Sequence, residues 1–139
     1  MASRHQLTGM RGVYLVASEL SRLGFVASPT SRSAIGADIL VTDQLCRRSY
    51  SVQVKTNART FNFWLLSKHA NDQVSDTHVY VLVNIRSRKN CEEIEYYVVP
   101  SRAVAAKMVY FERRNSEWWA VYHSEVAEFR DGWSIFGAS

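Results

Sequence analysis

An acid, an amide and an ammonium stand at spacings that suit one shared pocket. Asp38 follows Gly36-Ala37 at the head of Asp38-Ile-Leu-Val-Thr42, and Gln53 and Lys55 lie in Tyr50-Ser-Val-Gln53-Val-Lys55-Thr56. Side chains two apart on a strand share a face, so Gln53 and Lys55 point together when 50–56 is extended. A hairpin between the two segments brings Asp38 beside them. Phosphodiester cleavage needs that kind of cluster. A hard divalent cation takes oxygen ligands, here the Asp38 carboxylate, the Gln53 amide oxygen and the Val54 backbone carbonyl, with water and a phosphate oxygen completing an octahedron. Such an ion polarises the phosphoryl group and acidifies its water. Lys55 then positions that water and stabilises the developing charge.

The pocket depends on the elements around it. Between Thr8 and Gly24 the apolar residues Val13, Val16, Ala17, Leu20 and Leu23 form the stripe of a core-facing helix, with Thr8 as N-cap and Gly24 as stop. Phe25 to Ser28 reads as a short strand and Pro29 to Gly36 as loop. Asp38–Thr42 and Tyr50–Thr56 read as strands, and the polar link 43–49 makes them an antiparallel hairpin. Phe61 to Ser67 reads as a further strand or a buried helical turn, and His78 to Ile85 as the plainest β run. Arg86 to Glu93 reads as a charged loop before the strand Glu95–Val99, which Pro100 stops. Ser101 caps a second helix reaching about Arg113, with Val104, Met108 and Phe111 on one side. The aromatic stretch Trp118 to Phe136 has no clear period. The expectation is an α/β (α+β) fold, one central mixed β-sheet flanked by helices, in a single domain over 1–139.

Composition narrows the class. The chain has 139 residues, 47% hydrophobic, with six Gly and two Pro, enough to fill a core without disulfides or structural metal. Disorder and collagen-like repeats are excluded. Unbroken apolar runs such as Val13–Ala17 and Val79–Val83 fall far short of the ~20 residues of a membrane-spanning helix. Met1-Ala-Ser-Arg-His-Gln lacks the apolar stretch of a secretory signal, and Cys46 and Cys91 lack C-x-x-C spacing, so a reduced, cytoplasmic protein is expected. Seventeen Lys+Arg against thirteen Asp+Glu give a net charge of +4, which tilts the partners toward polyanions.

At Asp38 and Gln53-Val-Lys55 the sequence resembles the PD-(D/E)xK nuclease superfamily, with its restriction-endonuclease-like fold that also holds archaeal Holliday-junction resolvases. It looks most like a small bacterial branch carrying Gln-x-Lys in place of Glu-x-Lys. The loop Pro29-Thr-Ser-Arg-Ser-Ala-Ile-Gly36, Thr56 and the run Glu95-Tyr-Tyr-Val-Val-Pro-Ser-Arg102 share in the likeness, which spans roughly Arg11 to Val104. The resemblance implies a catalytic set of Asp38, Gln53 and Lys55, a Mg²⁺ or Mn²⁺ ion on Asp38, Gln53 and Val54, a DNA substrate, branched or structured DNA included, and a homodimer. One position departs. That branch carries a glutamate directly after a glycine of the first helix, whereas Val13 follows Gly12 here, and Glu19 lies about 120° away around the helix. Asp38 is then the only anionic ligand among the matched positions, which implies weak metal binding. Three readings stay open: a metal-dependent endodeoxyribonuclease, a catalytically degenerate DNA-binding module of the same fold, and an interaction protein that turns its aromatic tail to another protein.

Other residues suit contact with a polyanion. Ser31, Arg32 and Ser33 lie in the loop leading into Asp38 and are placed to clamp a nucleic-acid backbone, and Arg47 and Arg48 sit in the hairpin turn. Arg86, Arg88, Lys89, Arg113 and Arg114 read equally as phosphate contacts or as a solvated surface. His5, His69, His78 and His123 show no metal-ligand spacing. No G-x-S-x-G elbow and no glycine-rich phosphate cradle is present. Trp118 and Trp119 suit base stacking, but a core or a dimer interface is the reading preferred for them.

Overall fold

The computed structural model describes residues 1–31 and 36–137. In chain order the elements are α1 (Arg4–Arg22), β1 (Val26–Pro29), β2 (Ile39–Thr42), β3 (Ser49–Asn57), β4 (Phe63–Leu66), β5 (His78–Arg88), β6 (Cys91–Pro100), α2 (Ser101–Lys107), β7 (Val109–Arg113), β8 (Ser116–Tyr122) and α3 (His123–Val126). The helix α1 starts ahead of Thr8. Ser3 and Gln6 close a capping box, with the Gln6 N–H donating to Ser3 Oγ at 3.2 Å and the Ser3 N–H to Gln6 Oε1 at 2.8 Å. Its end falls where expected, at Gly24 with φ 93°.

Five strands form the central sheet in the order β1-β2-β3-β5-β6. Every pair is antiparallel except β3–β5, which is parallel and so needs a crossover, supplied by β4 and a short 3₁₀ turn at Lys68–Asn71. Strand β5 is buried on both faces from His78 to Ile85. On one face Val79, Val81, Val83 and Ile85 pack with Val52 and Val54 of β3, Val16 and Leu20 of α1, and Phe136. On the other, Tyr80 and Leu82 pack with Tyr97, Val99, Val104, Trp64 and Val121. Trp64 Nε1–H also donates to the Val83 carbonyl at 3.0 Å. The mixed α+β class and the hairpin β2–β3 agree with the sequence. Among the described residues no helix is long and apolar enough to cross a membrane.

Three expectations are corrected. Arg86 to Glu93 is not a loop: β5 runs to Arg88, β6 starts at Cys91, and the charges pair across the strands, Arg88 with Glu93 at 3.1 Å and Arg86 with Glu95 at 3.6 Å. The second helix ends at Lys107, because Met108 turns extended (φ −66°, ψ 146°) and the β-prone Val109-Tyr-Phe continues as β7. A second sheet therefore exists, in the order β4-β8-β7, and Trp118 and Trp119 lie in its middle strand.

Candidate functional site

Asp38 sits one residue ahead of β2, tied to the chain on three sides. Its N–H donates to the Val52 carbonyl at 2.8 Å, its carbonyl accepts from the Thr30 N–H at 2.9 Å, and its Oδ2 accepts from the Val54 N–H at 2.8 Å. Ile39 pairs with Val52, so Asp38 lies across from Gln53 and on that residue's face. Alternate residues of a strand turn their backbone groups to the same edge, so the Val54 carbonyl faces the edge that β2 has just left.

Gln53 and Lys55 share this face, opposite the one that α1 covers. Gln53 is buried at 8% exposure, and its Oε1 has no hydrogen-bond partner among the described residues. A buried amide oxygen left without a donor is costly, about 1–3 kcal/mol, and suits a position waiting for a ligand. Lys55 is half-buried. Burial pulls its ammonium pKa below the usual lysine value, and the Asp38 charge opposes that shift, so Asp38 and Lys55 act on one another.

The parallel β5 contributes neighbours that the sequence alone does not reveal. Ser51 pairs with His78 and Gln53 with Tyr80. Ser51 Oγ and His78 Nδ1 are 2.7 Å apart, and the His78 and Tyr80 rings meet edge-on at 5.3 Å. His78 Nε2 and Tyr80 Oη, like Gln53 Oε1, are buried without a partner. Burial pushes the Tyr80 hydroxyl up to about 12 and lowers the His78 pKa, a hydrogen bond with Ser51 opposing the latter. A polar strip of amide, imidazole and phenol thus borders the carboxylate and the lysine. Ser51 was legible from the period of β3, whereas His78 and Tyr80 required knowledge that β3 and β5 pair in parallel.

No second carboxylate joins Asp38. Val13 packs against the core on the far face of the sheet, and Glu19 pairs with Arg22. Among the described residues no group of three His, Cys, Asp or Glu side chains is placed to hold a metal ion, and the six remaining residues include no Asp or Glu. The oxygen set that is present, one carboxylate, one free amide oxygen and one carbonyl, suits a hard divalent cation held weakly.

The remaining sequence candidates scatter. Arg47 binds the buried Asp43, through its Nε at 3.2 Å and its backbone N–H at 2.7 Å. Arg48 lies against Gly137, where an added Cβ would crowd its guanidinium. Both stand at the turn end of the hairpin, roughly 17 Å or more of strand from Asp38, so the fold does not bring them to the site. Ser31 is exposed near Asp38 along the chain, and Arg32 and Ser33 lie outside the described residues.

No family model matches the chain, and no curated protein sequence does. Solved structures do match. The Holliday junction resolvase Hjc of Archaeoglobus fulgidus, from an archaeal hyperthermophile, aligns with TM-score 0.56 and 16% identity over 86% of this chain and 88% of its own. The bacterial homing endonuclease I-Ssp6803I aligns with TM-score 0.59 and 14% identity over 97% of this chain and 91% of its own. With a mixed five-stranded sheet, a helix packed on one face and Asp38 beside Gln53-Val-Lys55 on the other, the chain has the restriction-endonuclease-like fold.

Proposed function

We propose that this chain is a DNA endonuclease that hydrolyses phosphodiester bonds, with Mg²⁺ or Mn²⁺ held weakly by Asp38, Gln53 and the Val54 carbonyl. One observation carries the reading: Asp38, Gln53 and Lys55 converge on one sheet face, and the Gln53 amide oxygen is buried there with nothing to bond. When bound, a divalent ion supplies Lewis-acid polarisation of a phosphoryl oxygen and a more acidic water. The protein's own part is positional and electrostatic. The Val54 N–H orients the Asp38 carboxylate, and Lys55 presents its ammonium from partial burial, where each contact with developing negative charge is strengthened. Ser31, Arg32 and Ser33, a few residues ahead of Asp38 in the sequence, contact the DNA backbone. Nuclease neighbours named for a Holliday junction resolvase and a homing endonuclease support DNA as the substrate, branched DNA included. The reading includes a homodimer, and a cytoplasmic setting in which the exposed thiols of Cys46 and Cys91 stay reduced.

A second reading has its own support in the lone carboxylate: a DNA-binding module that keeps the fold without turnover. Nicking of supercoiled and branched DNA, with Mn²⁺ titrated calorimetrically, separates the two. For the enzyme, Asp38→Asn and Lys55→Met each lower Mn²⁺-dependent nicking by about a hundred-fold or more while DNA mobility shifts persist. Gln53→Glu adds the missing anion and tightens Mn²⁺ binding in the absence of DNA. Nicking that survives Asp38→Asn rules out this site, and DNA binding with neither nicking nor Mn²⁺ uptake establishes the module.

A further inference from the structure

The three-stranded sheet β4-β8-β7 gives its inner face to the core through Trp64, Leu66 and Val121. Alternation sends the intervening residues outward, and these are apolar as well. Phe61, Leu65, Val109, Phe111, Trp118 and Tyr122 are exposed by 36–49%. They form one surface: Leu65 and Val109 flank Ala120 from the two sides, Phe111 pairs with Trp118, and Phe61 and Tyr122 both touch the Phe63 ring, at 5.2 Å and 6.0 Å. With about 150–250 Å² on each large apolar side chain, those exposures leave on the order of 500 Å² open. That lies in the upper part of the range for the largest apolar patch on an ordinary monomer, about 300–600 Å².

We propose that this face is where a second copy of the chain docks, sheet face against sheet face. The charge pattern selects the kind of partner. Along the three outward rows only Arg113, at one corner, is cationic, while single-stranded nucleic acid needs a track of cations beside its stacking aromatics. An uncharged surface is complementary to itself, as a two-fold interface requires. The area fits too: the patch supplies more than half of the about 800 Å² per partner of a standard interface, and the polar rim supplies the rest. None of Asp38, Gln53 and Lys55 belongs to this surface, so its existence does not depend on the nuclease reading.

Light scattering on the full-length chain, from low to several hundred micromolar, tests the proposal without any cleavage assay. The wild type should run as a dimer, twice 15.9 kDa, and Phe111→Glu or Trp118→Glu should reduce it to 15.9 kDa. Circular dichroism verifies that each variant is folded, and Leu65→Lys, on a different strand of the same face, replaces any variant that is not. A wild type that stays monomeric at the highest concentration overturns the proposal, and so does a dimer that survives all three substitutions. Quenching of tryptophan fluorescence by a single-stranded oligonucleotide, lost in Trp118→Glu, assigns the face to nucleic acid and overturns it as well.

Discussion

His78 is the residue whose burial bears most directly on pH. It is 7% exposed, its Nδ1 is 2.7 Å from Ser51 Oγ, and burial holds its pKa below the ordinary 6.5. The unfolded chain therefore takes up this proton at a higher pH than the folded one does. Stability rises with pH across the window between the lowered folded value and 6.5, and is lost on acidification through it. Thermal unfolding between about pH 5 and 8 should show a wild-type Tm that falls on the acid side, with a shallower fall in His78→Gln. Parallel pH profiles for the two proteins would refute the assignment. The side chain that the sequence singled out as missing, a carboxylate at position 13, is absent in effect as well as in name: Val13 adds its methyls to the core and leaves Asp38 as the one anion of the site.

Among the elements, α1 and β3 meet most tightly at Gly12, directly behind the strand that carries Gln53 and Lys55. A Cβ at Gly12 would overlap Thr56 Oγ1, a hydroxyl that is itself buried without a partner. Alanine in place of glycine favours a helix by about 1 kcal/mol, but overpacking costs about 1–3 kcal/mol. Gly12→Ala should therefore destabilise the protein by up to about 2 kcal/mol in denaturant unfolding. Adding Thr56→Ala removes the obstructing oxygen and should recover most of that loss, giving a favourable coupling in the double-mutant cycle. Additive single effects would mean that the helix shifts to make room. The hairpin that builds the site was readable because β2 and β3 are adjacent in sequence with a polar link between them. Strand β7 was not, since Val109-Tyr-Phe continues the apolar spacing of α2 and pairs only with β8, a partner that spacing does not specify.

For the whole molecule, the count of seventeen Lys and Arg overstates the cations open to DNA. Arg11 pairs with Glu92 at 2.6 Å, Arg22 with Glu19 at 2.5 Å, Arg47 with Asp43 at 3.2 Å and Arg102 with Asp76 at 3.1 Å, while Arg86, Arg88 and Arg130 gather around Glu93 and Glu95. The pairs that stand in the open, such as Arg102 with Asp76, add little stability, about 0–1 kcal/mol each. They do withhold guanidinium groups from phosphates. Log affinity for duplex DNA should accordingly fall with log salt at a shallow slope, about −2 to −4, as two to four phosphate contacts would give. Filter binding across salt concentrations measures it, and a slope as steep as about −7 would show that the pairs open on the DNA.

Local periodicity and short links were enough for the mixed α+β class, the helix α1, the hairpin and the shared face of Gln53 and Lys55. The capping box at Ser3 and Gln6 was equally local, but its start was read at Thr8, since an apolar stripe marks where a helix packs and not where it begins. Tertiary structure alone decided the rest. Parallel pairing of β3 with β5 set His78 and Tyr80 beside Gln53, and a second sheet turned the aromatic tail into a surface. Both depend on contacts between segments far apart in the chain, whose partner, direction and register no local spacing encodes.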